Sequence, residues 1–286
     1  MASNMKAVKL RIKSVQNTMQ ITRAMELVAS SKLRKAKMRA DACRPYFREL
    51  YRTLEDIARE NTDFTSVYAG ENHNPRCCYV VIAGDRGLAG GYNANLFKKL
   101  EADSAGKDFV VLPIGKKAVE YFRRRNVPIL TEQFAEVADI SVSDCFEIAR
   151  LLCREYREGR FGHIELCYTM FVSMLTQRPE LISLLPLIDI AKPAGPQDGK
   201  VRELILYEPN GPEVFDAIVP EYLAGLTFGA VCEAEASELA ARRMAMDSAT
   251  KNAGEMIEQL NLFYNRARQA SITQEITEIV AGAEGA

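Results

Sequence analysis

The chain has 286 residues, of which 48% are hydrophobic and 26% are charged, and its formal net charge at pH 7 is −1. This composition is typical of folded globular proteins and excludes disordered and collagen-like chains. Because there is no run of about 18 apolar residues and no signal-peptide pattern, the chain is expected neither to span a membrane nor to be exported.

Cysteine and histidine usage argues against metal and redox chemistry. The seven cysteines show no Cys-x-x-Cys spacing, and the two histidines, His73 and His163, are far apart in the sequence. Zinc and iron–sulfur sites need clustered ligands of these types. We therefore expect reduced thiols, no metal site and no bound cofactor.

Residues 1–60 are predicted to form one long helix, because no proline precedes Pro45 and no glycine precedes Gly70. Its apolar residues alternate in spacings of three and four, as in a coiled-coil seam. The seam comprises Met5, Val8, Ile12, Val15 and Met19 and, after a shift of about one position, Met25, Ala29, Leu33 and Ala36. At Pro45 the helix either ends or continues with a kink, and the sequence leaves both open.

Residues 74–216 are predicted to form a Rossmann-like α/β domain. Short apolar runs alternate with helical patterns, which indicates a mostly parallel or mixed sheet covered on both faces. The predicted strands are 77–83, 109–114, 163–172 and 203–207, and the predicted helices are 92–102, 116–126 and 142–157. The proline- and glycine-rich segment 192–199 is predicted to be a surface loop.

Residues 217–286 are predicted to form a second long helix, since no proline follows Pro220. Its seam keeps the three-four spacing throughout and consists of Met246, Ala249, Ala253, Met256, Leu260, Phe263, Ala267 and Ala270. A long helix with an apolar seam needs a partner, and the N-terminal helix has a matching one. The predicted fold class is therefore α/β, a long antiparallel coiled coil of N- and C-terminal helices plus the central Rossmann-like domain.

Charge is distributed unevenly between these two helices. Residues 4–39 contain ten Lys or Arg and one acidic residue, Glu26. Residues 232–286 contain nine acidic and five basic residues. This asymmetry suggests that the two segments lie near one another.

The glycine-rich segment from Gly84 to Gly91 lies between a predicted strand and a predicted helix, where dinucleotide-binding folds hold a phosphate. It does not match G-x-G-x-x-G, because Asp85 and Arg86 separate Gly84 from Gly87, and no Lys-Ser or Lys-Thr follows it as in a Walker loop. The serines have no histidine at a motif spacing. We therefore predict that the chain has no catalytic residues.

Three ordered segments resemble the F-type ATP synthase gamma subunit of the bacterial type. Residues 11–34 (RIKSVQNTMQITRAMELVASSKLR) are similar to the N-terminal helix of that family, and residues 85–93 (DRGLAGGYN) to its glycine-rich head loop, with Asp85, Arg86, Gly87, Gly90 and Gly91. Residues 246–253 (MDSATKNA) and 264–276 (YNRARQASITQEI) are similar to its C-terminal helix.

The resemblance implies a non-catalytic rotor subunit of the central stalk, which couples ion flow through the membrane c-ring to ATP synthesis or hydrolysis. The implied partners are three alpha and three beta subunits, the epsilon subunit and the c-ring, with no nucleic acid and no membrane contact except through that ring. The implied location is the cytoplasmic face of the bacterial cell membrane.

The resemblance also assigns contacts to individual residues. Arg23 and Met25 would meet a beta subunit low in the ring, and Arg268, Gln269 and Thr273 would meet beta-subunit loops higher up. The apolar residues Ile276, Ile279 and Val280 would form an apolar bearing at the end of the shaft. Chloroplast members carry an inserted dithiol segment, and the loop 192–199 contains no cysteine, so control of that kind is not expected.

Two other functions stay open at this point. An enzyme with a Rossmann-like domain would hold a phosphate-bearing ligand at Gly84–Gly91 and would bind ATP or NAD saturably. A coiled-coil scaffold with a nucleic-acid-binding arm would use the basic residues between Asn4 and Arg39, with steeply salt-dependent affinity.

Overall fold

The computed structural model describes residues 2–60, 64–70, 72–191 and 207–284. The chain divides into two compact units. The helical unit comprises Met1–Ser31 and Arg242–Ala286, and the sheet unit comprises Lys32–Ala241.

Two long helices begin and end the chain. Helix α1 spans Ala2–Glu60 and contains Pro45, and helix α6 spans Gly211–Glu284 and contains Pro220. The question left open at Pro45 is thus answered, because the helix continues through it. Pro45 is exposed, while Ala40 before it and Leu54 after it are buried in the sheet unit. Packing on both sides of the proline holds the two halves in one helix. Helix α6 begins earlier than position 217, where the sequence analysis starts the C-terminal helix.

Four strands form one sheet in the described part of the sheet unit. They are β1 (Cys77–Ile82), β2 (Phe109–Ile114), β3 (His163–Phe171) and β4 (Gln177–Leu185), in the spatial order β2-β1-β3-β4. Strand β1 pairs parallel with β2 and β3, and β3 pairs antiparallel with β4. The connecting helices are α2 (Tyr92–Ser104), α3 (Lys116–Arg124), α4 (Val142–Arg157) and the short α5 (Ile188–Ala191). The predicted fold class is confirmed.

Both faces of the sheet are covered, which explains why β1 is apolar at every position. Cys78, Val80 and Ile82 point into the larger core, which also contains residues of α1, α4 and α6. Alternate residues of the same strand, including Tyr79 and Val81, pack against α2 and α3 on the opposite face. A strand buried on both faces loses the polar alternation of a half-exposed strand.

Strand β4 is absent from the sequence prediction. Among the described strands it lies at one end of the sheet, its residues are mostly half-buried, and it contains Pro179, which cannot donate a backbone hydrogen bond. Apolar and polar residues do not alternate clearly along this strand, so the sequence does not indicate it. The predicted strand 203–207, except for Tyr207, and the predicted loop 192–199 lie outside the described residues.

Within the sheet unit, α1 and α6 run antiparallel. Arg39 forms an ion pair with Glu235 at 3.5 Å, and the rings of Tyr51 and Tyr222 lie 5.9 Å apart. Higher numbers on α1 therefore face lower numbers on α6. The Arg39–Glu235 pair also shows that the basic and acidic segments meet here.

Within the helical unit, the seams are only partly covered. Val8, Ala29, Met246 and Ala253 are buried, and the hydroxyls of Thr22 and Thr250 are hydrogen-bonded at 2.7 Å. Further along α6, the predicted seam residues Met256 and Phe263 are 42% and 51% exposed, so the seam is uncovered at these positions.

One window of α6 between Gly211 and Thr277 is long and apolar enough, by length and composition, to cross a membrane. Within that window, 56% is buried inside the structure. A core helix of a globular unit passes the same test, because its apolar residues cover a sheet instead of facing lipid.

Candidate functional site

The ten basic side chains of α1 between Asn4 and Arg39 point to solvent. Those in the helical unit, Lys6, Lys9, Arg11, Lys13 and Arg23, are all exposed. Those in the sheet unit, Lys32, Arg34, Lys35, Lys37 and Arg39, are exposed as well. Exposed charges of one sign act on association with charged molecules more than on the stability of the fold.

The residues assigned to beta-subunit contacts form two separate groups in the helical unit. On α1, Arg23 is exposed and Met25 is partly buried, next to Thr22, which contacts Thr250. Arg268 follows Thr250 on α6 by about 27 Å at 1.5 Å per residue. The structure therefore separates the two groups along the helix axis.

The second group lies on an exposed part of α6. Arg268, Gln269 and Thr273 are all exposed, and the Thr273 hydroxyl donates to the Gln269 carbonyl at 3.0 Å. Arg268 and Gln269 therefore present a guanidinium and an amide to solvent at adjacent positions of α6.

The last turns of α6 carry an exposed apolar face. Ile276, Ile279 and Val280 are 56%, 71% and 51% exposed, and their spacing of three and four places them on one side of the helix. Counting from the Thr22–Thr250 contact in the antiparallel direction, the first residue of α1 lies opposite about residue 270 of α6. The last turns of α6 therefore lie beyond the first residue of α1.

In the sheet unit, the glycine-rich loop follows β1 at the carboxyl edge of the parallel strands. The Asp85 carboxylate accepts hydrogen bonds from the backbone N–H groups of Lys116, Val137 and Ala138 at 3.2, 3.0 and 3.1 Å. The Gly84 N–H donates to Asn93 Oδ1 at 2.9 Å. Asp85 thus joins the loop to the start of α3 and to the 3₁₀ turn Val137–Asp139.

The rest of the loop faces solvent. Arg86, Gly87, Gly90 and Gly91 are exposed, and Gly90 adopts a φ of +57°, which favours glycine. Leu88 adopts a φ of 64° although it has a side chain, and it is 63% exposed. Near the loop, a hydrogen bond from Lys116 to Glu136 at 2.8 Å raises the pKa of that lysine.

The place where a phosphate would approach this loop is occupied by the chain itself. The Glu238 carboxylate of α6 lies 2.7 Å from the position of a Cβ added to Gly84, and Glu238 is only 9% exposed. A carboxylate repels a phosphate, and the Gly84 N–H is already bonded. The geometry therefore does not support the phosphate-binding enzyme.

Glu238 is the loop contact that sequence reasoning missed. It lies in a run of small and apolar residues, where it is flanked by buried Ser237 and Leu239. The sequence signal for this contact was a charged residue at a helix position that faces the core. Charged residues are almost never fully buried unless they are paired.

Comparisons with known proteins agree on one family. The family model described as ATP synthase matches residues 4–285. The chain is 47% identical over 283 residues to an ATP synthase gamma chain of Ruminococcus albus, covering 97% of this chain and 96% of the relative. It is 42% identical over 287 residues to an ATP synthase gamma chain of Alkaliphilus metalliredigens, with 99% of each covered.

A solved structure supports the fold. A chain in the structure of the Euglena gracilis mitochondrial ATP synthase, OSCP/F1/c-ring, matches with a TM-score of 0.68 at 17% identity, covering 100% of this chain and 95% of that chain. At this identity the likeness concerns the arrangement of helices and strands, and it agrees with the long terminal helices and the parallel-rich sheet.

Proposed function

The chain belongs to the ATP synthase gamma chain family, and we propose that its long helices transmit rotation between the membrane ring and the catalytic alpha and beta subunits. As a gamma chain it is a non-catalytic subunit of the central stalk of that complex. The observation that carries the proposal is the 47% identity to a gamma chain over 97% of the sequence.

The coupling acts through differential binding. A ligand shifts an equilibrium only by its difference in affinity for the two states, and here the helical unit is that ligand. One asymmetric pair of helices inside a threefold ring presents a different face to each beta subunit. Turning the pair exchanges those faces among the sites. Driving one site from 1:99 to 99:1 takes about 5.5 kcal/mol of differential contact free energy, which a few charged contacts supply.

The contacts that supply it are the two groups on the helical unit. Arg23 and Met25 meet one level of the beta subunits, and Arg268, Gln269 and Thr273 meet their loops at another. The two groups are separated along the axis of the helical unit, which supports two levels of contact. The exposure of Arg23 and Arg268 supports a role as charged contacts.

Ile276, Ile279 and Val280 form the apolar bearing in this proposal. Their exposure on one face, beyond the start of α1, supports a partner that covers them in the complex. An apolar sleeve suits a turning helix because burial of apolar surface is not directional.

The remaining partners are the epsilon subunit and the c-ring, and the location is the cytoplasmic face of the cell membrane. The family places the chain in a membrane-associated complex. Contact with the bilayer is indirect in this proposal, since the c-ring holds the stalk.

Co-expression with the alpha and beta subunits tests the function. The purified particle should contain one copy of this chain for six large subunits and should hydrolyse ATP, whereas the chain alone should not. Alpha and beta subunits that fold and assemble without recruiting the chain would contradict the proposal.

A further inference from the structure

Two thiols from the two long helices are in contact inside the sheet unit. The Cys232 thiol on α6 is hydrogen-bonded to the Cys43 sulfur on α1. The helix register leads to the same pairing, because the Arg39–Glu235 ion pair lies about one turn away from both cysteines. The contact is therefore a consequence of how α1 and α6 pack.

Two glycines of α6 make room for an aromatic ring of α1 close to this level. The Phe47 ring, one turn after Cys43, occupies the space beside Gly225, where an added Cβ would lie 2.2 Å from Cε1. The same ring lies 3.4 Å from the Cβ position of Gly229. The Phe47 ring therefore packs α1 against α6 one turn away from the thiol pair.

Only one of the two thiols can be reached from solvent. A cavity of about 230 Å³ opens between α1, α4 and α6, and its walls include Cys43, Phe47, Phe146 and Phe228. Cys43 is partly buried, whereas all six other cysteines are buried. A small reagent that enters this cavity therefore meets Cys43 first.

Burial is the largest influence on both thiols and raises the pKa of each, so access from the cavity, and not acidity, makes Cys43 the thiol that reacts first. Burial raises the pKa of the Cys43 thiol, but the Arg39 charge and the Cys232 hydrogen bond act in the opposite direction. Burial also raises the pKa of Cys232, to about 11. A nearby cation stabilises a thiolate, which is the nucleophilic form.

A third thiol makes the pairing testable. Cys145 on α4 also lies near Cys232, and burial raises its pKa to about 12. Among the residues that the structure describes, no three His, Cys, Asp or Glu side chains are placed to hold a metal ion, so these thiols are not a metal site.

We propose that Cys43 and Cys232 are a disulfide-forming pair, a redox modification site that joins α1 to α6. The oxidant is a low-molecular-weight disulfide of the glutathione class. The Cys43 thiolate attacks one sulfur of the oxidant, breaks its S–S bond and releases one small thiolate. The released small thiolate takes the proton of Cys232, and the Cys232 thiolate then attacks the Cys43 sulfur of the mixed disulfide and expels the second small thiolate. Two protein thiols are oxidised and one small disulfide is reduced to two thiols.

The bond would fix the two helices to each other in the sheet unit. It closes a loop that contains the whole sheet, and cross-links across long loops restrict the unfolded chain most strongly. The Cys43–Cys232 pair does not depend on the rotor function, and neither cysteine belongs to the loop 192–199.

The experiment incubates the full chain with oxidised glutathione and analyses it without reduction. We expect two of the seven thiols to be lost, a mass decrease of about 2 Da, and a cross-linked peptide pair that carries Cys43 and Cys232. Thermal unfolding should move up by several degrees and return on reduction. Cys43→Ser and Cys232→Ala should each abolish the cross-link.

Cys153→Ala is the matched control, because Cys153 is a buried thiol of α4 that is hydrogen-bonded to Tyr68. This variant should cross-link like the unaltered chain. Cys145→Ala should also cross-link normally. A Cys145–Cys232 peptide pair, or a stable glutathione adduct on Cys43 that never resolves, would overturn the proposal.

Discussion

The ring of Phe47 on α1 fills the space beside Gly225 on α6, where an added Cβ would lie 2.2 Å from the ring. Alanine is favoured over glycine within a helix by about 1 kcal/mol, but overpacking a core contact costs about 1–3 kcal/mol. The steric term is therefore larger, and Gly225→Ala should destabilise the chain by about 1 kcal/mol.

The matched control is Gly254→Ala in the same helix, where a new Cβ meets nothing within 4 Å. This variant should gain roughly 0.5–1 kcal/mol from helix propensity alone. Thermal unfolding followed by circular dichroism measures both. Equal shifts in the same direction would mean that Phe47 moves aside freely.

Asp85 should be more important for stability than for binding, because its carboxylate accepts three backbone N–H groups. Asp85→Ala leaves those donors without their partner, and we expect a loss of roughly 2–3 kcal/mol in urea unfolding. Asp85→Asn, which keeps one acceptor oxygen, should lie in between. The exposed neighbour Arg86→Ala serves as control and should stay within about 0.5 kcal/mol. An Asp85→Ala chain as stable as the Arg86→Ala chain would contradict this account of the loop.

The capping box of α4 should make stability depend on acid pH. The Ser141 hydroxyl and backbone N–H donate to the Asp144 carboxylate at 2.6 and 2.7 Å, which lowers the pKa of that carboxyl below its usual 3.8. A carboxyl group whose pKa is lower in the folded state stabilises the chain at pH values above its unfolded-state pKa. This stabilisation is lost as the pH falls through the folded-state pKa.

Asp144→Ala should therefore destabilise the chain by about 0.5–1 kcal/mol near pH 7, and the difference from the unaltered chain should shrink below pH 4. Urea unfolding at pH 7, 5 and 3 measures this. Because Asp144 is only partly buried, screening by salt should reduce the effect. A difference that stays constant across this range would exclude the ionised cap as its cause.

Met25→Lys should weaken coupling between ATP hydrolysis and ion pumping in the assembled complex. A new ammonium beside a beta subunit adds a charge-assisted hydrogen bond of about 1.5–3 kcal/mol in some rotational states and not in others. The measurement is ions pumped per ATP hydrolysed in reconstituted vesicles. Met38→Lys, at a position that is 66% exposed in the sheet unit, is the control. Unchanged coupling in the Met25→Lys complex would count against this placement of Met25.

Replacing Ile276, Ile279 and Val280 together with serine should separate stability from assembly. These side chains are exposed in the chain by itself, so its unfolding free energy should change by less than about 0.5 kcal/mol. Assembly with alpha and beta subunits should weaken, since the apolar surface buried there is lost. Thr277→Ser is the control on the same turn. A triple variant that assembles normally would show that the apolar bearing is dispensable.

The sequence by itself determined the elements that have a strong local period. The three-four spacing predicted the terminal helices, and the continuous apolar runs at β1 and β2 predicted buried parallel strands. The same local patterns carried the family resemblance. Strand β4 was not predicted, because its residues are mostly half-buried, it contains Pro179, and apolar and polar residues do not alternate clearly along it.

Only the tertiary structure decided which surfaces meet. A periodic pattern shows that a helix face is apolar, but the register against its partner depends on packing along the whole helix. That register determines that Glu238 covers Gly84, that Cys43 meets Cys232 and that the apolar end of α6 stays uncovered. It also keeps α1 helical through Pro45, because contacts on both sides of the proline outweigh its local preference to end the helix.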